Sequence, residues 1–149
     1  MKPHPIFADW TIPTDHQLGS FVLKALTVDD VTRDFDAVME SAADIKAANP
    51  ASVWPHDGMT LDENLIDLAW HQKEFETRRS FAWIIENLSG DYIGCAYVYP
   101  SIIGELAADV AWWWRTGALV DRQEFKTRLM DWLEGSDWPP LEYRPALMG

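Results

Sequence analysis

Hydrophobic residues recur along the chain at two spacings, and the change from one to the other divides it into elements. The apolar run FVLKAL at residues 21–26 predicts a strand. Apolar positions three to four residues apart then predict a helix that starts at Thr27 and stops before Asn49 and Pro50. The apolar stripe of this helix comprises Val31, Phe35, Val38, Ala42 and Ile45. Residues 1–19, which hold three prolines, are interpreted as an N-terminal extended arm.

Helix starts are marked by a capping pattern, in which an N-cap residue is followed three positions later by a carboxylate. The pairs are Thr27 with Asp30, Thr60 with Glu63, and Asp121 with Glu124. The helix after Thr60 has a predicted buried face that holds Leu61, Leu65, Leu68 and Phe75. The helix after Asp121 has an apolar stripe that holds Phe125, Leu129, Trp132 and Leu133.

The remaining apolar runs predict strands. SFAWIIEN at 80–87 and YIGCAYVYP at 92–100 are joined by a short loop with a glycine, which predicts a hairpin. LAADVAWWW at 106–114 predicts the next strand, and the prolines of WPPLEYRP at 138–145 confine any strand there to an edge or a bulge. The predicted order is β-α-α-β-β-β-α-β. It indicates an α+β fold, a mostly antiparallel twisted sheet flanked by helices, in one domain over residues 20–149.

The charge of the chain restricts its partners. The formal net charge is −12 over 149 residues, with a sequence pI near 4.5. An acidic surface repels phosphate backbones and anionic lipids, so we expect neither a nucleic acid nor a membrane partner. The same surface favours a cationic small-molecule substrate such as an amine, or it serves only solubility. The sequence leaves a homodimer open.

Cysteine and histidine usage excludes further classes. Cys95 is the only cysteine, which excludes an intrachain disulfide and a cysteine-based zinc site. The four histidines lie far apart in the sequence, so no metal site is predicted. The first ten residues contain no apolar run typical of a signal peptide, and no segment is apolar over the length of a membrane span. We therefore expect a cytoplasmic protein.

Three consecutive tryptophans stand in the predicted strand at 106–114. Side chains alternate across a strand, so Trp113 points away from Trp112 and Trp114. One face should pack against the helix that begins at Asp121, and the other should border a cleft near Trp54. The run is consistent with core packing and with a cleft wall that could hold an amine by cation–π contact.

The order of elements and several local patterns resemble the GNAT superfamily of acyl-CoA-dependent N-acetyltransferases over roughly residues 20–145. The opening strand ends in LTVDD, two helices follow, and the second hairpin strand begins with Asp91-Tyr92-Ile93-Gly94. ADVAWWWR is similar to the fourth strand of that superfamily. The resemblance implies acetyl-CoA or another acyl-CoA as co-substrate. It places cofactor contacts at Ala111, Trp112, Trp113, Trp114, Arg115 and Gly117.

The loop after this strand departs from the superfamily pattern. Members usually have Arg or Gln, two residues, Gly, one residue and then Gly or Ala, whose backbone N–H groups bind the pyrophosphate of coenzyme A. Here the loop reads RTGALVD, with Gly117 one position early and Val120 where a small residue is expected. Asp121 adds a negative charge at the helix start. The pyrophosphate loop is therefore degenerate.

Polar and aromatic residues near the predicted cleft are the candidates for chemistry. Asp109, on the tryptophan strand, could take a proton from the amine, and Glu86 is a weaker candidate for the same role. Tyr97 and Tyr99 share one strand face, where Tyr97 could donate a proton and Tyr99 could contact substrate. Trp54 and His56, in the loop between the first two helices, are further candidates for substrate contact.

Three functions are compatible with these patterns. The first is an N-acyltransferase that moves an acetyl or other acyl group from acyl-CoA to an amine. The second is a non-enzymatic ligand-binding or interaction module on a GNAT scaffold, which the altered loop favours. The third is an enzyme of another class that uses the same cleft. The fold alone does not separate them.

Overall fold

The computed structural model describes residues 2–145, which form one six-stranded sheet with helices on both faces. The strands are β1 (Asp15–Leu18), β2 (Phe21–Ala25), β3 (Phe81–Glu86), β4 (Tyr92–Pro100), β5 (Ala107–Trp114) and β6 (Glu142–Pro145). The helices are α1 (Val31–Glu40), α2 (Ala42–Ala48), α3 (Leu61–Glu76) and α4 (Arg122–Leu133). The strands lie in sequence order, antiparallel except for the parallel pair of β5 and β6. The predicted α+β fold class is confirmed.

Part of the N-terminal segment joins the sheet. Residues 15–18 form β1, which pairs antiparallel with β2 through a turn at Gly19, where φ is +63°. Phe7 is fully buried, with its ring 4.9 Å from that of Phe81 in an edge-on contact. The segment predicted as an extended arm over 1–19 thus contributes an edge strand and a core side chain. The sequence DHQL has too few apolar positions to indicate a strand by itself.

The first predicted helix is divided. A 3-10 turn over Val28–Asp30 precedes α1, with the Thr27 and Asp30 capping box in place, and α1 ends before Ser41. Ser41 is buried, and its hydroxyl oxygen accepts a hydrogen bond from the backbone N–H of Thr116 at 3.0 Å. Helical structure resumes in α2. The break therefore coincides with a contact to the loop after β5, 75 residues away.

The buried face of α3 differs from the predicted one. Leu68 and Phe75 are buried as expected, whereas Leu61 and Leu65 are exposed. Asn64 is buried in their place, because its side-chain N–H donates to the buried carboxylate of Asp34 at 2.9 Å. The face of α3 that packs on the core therefore includes a buried polar pair and differs from the face predicted from its apolar residues alone.

The tryptophans of β5 divide between the two faces of the sheet, as alternation predicts. Trp112 and Trp114 pack with α4, with ring centroids 5.8 Å and 4.8 Å from that of Phe125. Trp113 packs on the opposite face, in the cluster that contains Leu68 of α3. β4 and β5 approach closely at Gly94, where a Cβ would lie 2.4 Å from the carbonyl oxygen of Trp113. Gly94 therefore permits the strand contact that holds Trp113 in place.

Candidate functional site

One edge of β5 is only partly covered. β6 pairs with residues 107–110 of β5 and ends at Pro145, opposite Val110. Residues 111–114 are paired to β4 on one side and, within residues 2–145, have no strand partner on the other. Backbone N–H and C=O groups on such an edge are available to a ligand that runs along the strand.

A cavity of about 300 Å³ lies at the end of this edge, and we call it the loop cavity. It is formed by α2, the end of β5 and the start of α4. The residues that line it are Asp44, Ile45, Ala48, Trp113, Trp114, Arg115, Thr116, Gly117, Ala118 and Arg122. Gly117 has a φ of +83°, a left-handed conformation that glycine adopts without strain, and a Cβ there would meet open space.

The junction of α1 and α2 engages the groups that a phosphate would use. Arg115 Nη2 lies 2.7 Å from the carboxylate of Glu40, and the Thr116 hydroxyl donates to Asp44 at 2.6 Å. The backbone N–H of Thr116 is bonded to Ser41, as described above. Asp121 caps α4 by accepting from the N–H of Glu124 at 3.0 Å. The loop cavity is thus lined by two arginines and the start of α4. Carboxylates already contact Arg115, the Thr116 hydroxyl and the N-terminus of α4.

A second cavity, of about 440 Å³, opens on the face of the sheet that carries α3, and we call it the acceptor cavity. It brings together Trp54, Tyr97, Tyr99, Ala111 and Trp113, all named as candidates from the sequence. The remaining lining residues are Asn49, Ser52, Asp67 and His71. Trp113 lines both this cavity and the loop cavity.

The two tyrosines of β4 form a polar and aromatic wall. The Trp113 indole N–H donates to the Tyr97 hydroxyl at 2.9 Å, and the Tyr97 and Tyr99 rings stack at 5.8 Å. Burial, with a smaller effect of nearby Cys95, raises the pKa of the Tyr97 hydroxyl well above its ordinary value of 10.0. Burial likewise raises the pKa of Tyr99. Burial therefore keeps the Tyr97 hydroxyl protonated at neutral pH, while its oxygen accepts the hydrogen bond from Trp113.

Four residues of the acceptor cavity were not candidates for it from the sequence, and two of them, Asp67 and His71, can exchange protons. Asp67 and His71 stand one helical turn apart on α3, with His71 Nε2 3.5 Å from the Asp67 carboxylate. The His71 ring lies 5.6 Å from that of Tyr97. The i, i+4 spacing of a carboxylate and a histidine was the available signal. In the sequence, the same spacing is equally typical of an ion pair on the surface of a helix, because the sequence does not show which face of α3 points into the cavity.

Other candidates lie outside this cavity. Glu86 is buried at the end of β3, where its carboxylate pairs with Arg33 at 2.6 Å and Lys24 at 3.3 Å. The role of Glu86 as a proton acceptor stays a prediction. These contacts do not support it, because both carboxylate oxygens are paired with cations. Asp109 is half-buried, on the same face of β5 as Ala111 and opposite Tyr99 in the β4 register, without lining the cavity. His56 is exposed and paired with Glu63.

The fold matches solved acetyltransferases at low sequence identity. RimL, a ribosomal L7/L12 alpha-N-protein acetyltransferase, matches over 80% of this chain with 13% identity. The TM-score is 0.64 for its ligand-free form and 0.65 for its complex with coenzyme A. MccE, a microcin C7 self-immunity acetyltransferase solved with acetyl-CoA and AMP, matches over 83% of this chain and 68% of its own, with 8% identity and a TM-score of 0.66.

A third match is the ribosomal-protein-S5-alanine acetyltransferase from Vibrio fischeri, which covers 82% of this chain and 68% of its own, with 11% identity and a TM-score of 0.64. The chain spans 64% of the ligand-free RimL and 67% of the RimL complex. No protein-family model and no curated protein sequence matches it. The chain therefore has the fold of the GNAT acetyltransferases.

Among residues 2–145, no group of three or more His, Cys, Asp or Glu side chains is arranged to hold a metal ion. None of the helices in this part of the chain combines the length and the apolar character needed to cross a bilayer.

Proposed function

We propose that this chain is an N-acyltransferase that moves an acyl group from a CoA thioester to an amine. The observation that carries the proposal is the uncovered edge of β5 over residues 111–114, which lies between the loop cavity and the acceptor cavity. A donor held along this edge and an amine held in the acceptor cavity would meet at Trp113. Holding two reactants in contact supplies a large part of the rate acceleration in such transfers.

The residues present fit a CoA-type donor. Residues 111–114 offer backbone groups to the pantetheine arm, and Arg115 and Arg122 line the loop cavity where the phosphates would lie. Coenzyme A would supply the acyl group as an activated thioester. Glu40 and Asp44, bound to Arg115 and Thr116, oppose phosphate binding, so we expect weaker affinity than a loop without these carboxylates would have.

The acceptor cavity supplies groups for proton transfer. An amine must lose its proton before it can attack, and His71 paired with Asp67 is the proposed proton acceptor because it lines the cavity. Asp109 is the second candidate. Tyr97, whose hydroxyl stays protonated, is the proposed donor to the leaving group. Trp54 and Tyr99 would form aromatic walls around the acceptor.

Cellular context is part of the proposal. We place the activity in the cytoplasm, where a reducing environment suits a chain whose only cysteine is an unpaired, buried thiol. The net charge of −12 favours a cationic small molecule and disfavours nucleic acid or an anionic membrane as partner.

A non-enzymatic binding module is the second candidate function. The contacts of Glu40, Ser41 and Asp44 with the loop after β5 favour it, because they use groups that would otherwise bind phosphate. In this alternative the acceptor cavity would hold a ligand without chemistry.

An assay of thiol release from acetyl-CoA in the presence of primary amines separates the two functions. We expect amine-dependent turnover in the wild type and a loss of about 10²–10⁴-fold in kcat for His71→Gln. His16→Gln, which changes a histidine stacked on Trp132 on the other face of the sheet, is the matched control and should retain activity. A loss confined to Asp109→Asn would assign the proton acceptor to Asp109. Absence of turnover with bound acetyl-CoA would favour the binding module.

A further inference from the structure

A third concave surface continues the acceptor cavity outward along α3. This outer groove, of about 320 Å³, is lined by Trp54, His56, Met59, Glu63, Ile66, Asp67 and Trp70. Trp54 and Asp67 also line the acceptor cavity, so the two spaces adjoin at these side chains. A molecule too long for the acceptor cavity would extend past Trp54 into the outer groove.

The outer groove is apolar along one wall. Ile66 is 71% exposed and Trp70 is 56% exposed, one helical turn apart on α3. Met59, a buried residue of the loop before α3, also lines the groove. A single exposed apolar residue is ordinary on a protein surface. Two exposed apolar residues on successive helical turns are typical of a binding surface when they border a groove beside a cavity that contains polar groups.

The charged side chains that line the acceptor cavity and the outer groove are carboxylates and histidines. Asp67 stands at the junction, and Glu63 in the outer groove is paired with His56. Among the described residues that line either space, none is a lysine or an arginine. Lys73 lies outside the lining, with its ammonium 5.9 Å from the centre of the Trp70 ring. The combination suits a cationic group at the junction or deeper and an apolar group beyond it.

We infer that the acceptor is a primary amine with an apolar chain, whose nitrogen lies near Ala111 and Trp113 and whose chain runs past Trp54 over Ile66 and Trp70. This inference rests on the proposed function for the position of the nitrogen. The apolar chain would cover the exposed side chains of α3 and exclude water from the mouth of the acceptor cavity. The outer groove thereby determines which amines bind.

A series of unbranched amines, from ethylamine through butylamine to hexylamine, tests the inference by calorimetric titration without acetyl-CoA and by acetyl transfer with it. We expect affinity to rise by about fourfold per methylene that enters the groove. Ile66→Ser and Trp70→Ser should reduce this gain to about twofold or less. Leu65→Ser, on the same helix, 40% exposed and outside the groove, is the matched control and should keep the wild-type gain.

The possible results separate this inference from the proposed function. Length-dependent binding that Ile66→Ser abolishes, without acetyl transfer, would support the groove and contradict acyl transfer. Acetyl transfer with equal affinity for ethylamine and hexylamine would contradict the groove and support acyl transfer. A loss for Leu65→Ser as large as for Ile66→Ser would also overturn the inference. Sedimentation showing a homodimer that Trp70→Ser dissociates would overturn it too, since a second copy would then cover the groove.

Discussion

Trp113 is the residue on which both cavities depend. It lines the loop cavity and the acceptor cavity, and its indole N–H holds the Tyr97 hydroxyl at 2.9 Å. Its neighbours Trp112 and Trp114 lie on the other face of β5, in contact with Phe125 of α4. Three adjacent residues of one type therefore have two different environments, which follow from strand alternation.

Replacement of single tryptophans by phenylalanine should separate these environments. Both Trp113→Phe and Trp112→Phe shrink a buried ring, so each should lower the free energy of unfolding by roughly 1–3 kcal/mol in urea titrations. Only Trp113→Phe also removes the hydrogen bond to Tyr97, and it alone should weaken acetyl-CoA or amine binding in calorimetry. Equal stability losses with unchanged binding in both variants would assign Trp112 and Trp113 to the core alone.

His56 and Glu63 attach the loop before α3 to that helix, and their contact depends on pH. The hydrogen bond to Glu63 raises the pKa of His56 above its ordinary 6.5, and the bond to His56 lowers the pKa of Glu63 below its ordinary 4.5. The stabilising effect of His56 is therefore complete below pH 6.5 and is lost as the pH rises through its raised pKa. The stabilising effect of Glu63 is present above pH 4.5 and is lost as the pH falls through its lowered pKa.

An NMR titration of the His56 ring should give an inflection above 6.5 in the wild type. In Glu63→Gln the carboxylate is gone, so the pKa of His56 should fall back toward its ordinary value. The His16 ring, whose pKa burial lowers, is an internal control that should titrate below 6.5 in both proteins. A His56 pKa that is the same in the wild type and in Glu63→Gln would show that the two side chains do not pair in solution.

Elements whose signals are local could be predicted from the sequence. The hairpin of β3 and β4 follows from two apolar runs and a short loop, and the start of α4 follows from Asp121 and Glu124, whose capping bond is present. The break between α1 and α2 could not be predicted, since Ser41 contacts Thr116 from a distant part of the chain. The rotation of α3 likewise depends on the tertiary pair of Asn64 and Asp34.

The junction of α1 and α2 should tune donor binding through its charges. Asp44→Asn keeps an oxygen to accept from the Thr116 hydroxyl but removes a negative charge from the loop cavity. A charge near a phosphate at a solvated site is worth about 1 kcal/mol, so acetyl-CoA affinity should rise by about fivefold.

The rise in melting temperature at a fixed acetyl-CoA concentration measures this change. Asp36→Asn alters the net charge equally at an exposed position of α1 and should leave the melting shift unchanged. If both variants shift it alike, the effect belongs to the overall charge of the molecule. If neither does, phosphates do not occupy the loop cavity.

At the scale of the whole molecule, the sequence predicted the fold better than the site. Trp54, Tyr97, Tyr99, Ala111 and Trp113 were candidates and do meet in one cavity, because a strand pair and a loop bring them to the same face. His71 and Asp67 were missed as members of that cavity, since their orientation depends on how α3 packs. Glu86 was a candidate by its position at a strand end, yet two cations from β2 and α1 occupy its carboxylate. Charge pairing across elements is not visible in a linear pattern.

A calorimetric titration of the protein with acetyl-CoA tests the central claim, that the uncovered edge of β5 and the loop cavity hold an acyl-CoA donor beside the acceptor cavity. We expect saturable binding at one site. Arg115→Ala should weaken it by about ten- to a hundredfold, because a charge-assisted phosphate contact is worth roughly 1.5–3 kcal/mol. Arg128→Ala, which removes a cation on α4 that is paired with Glu124 outside the loop cavity, should leave the affinity unchanged. No detectable heat of binding at about millimolar acetyl-CoA, equivalent to less than about 4 kcal/mol, would contradict the account.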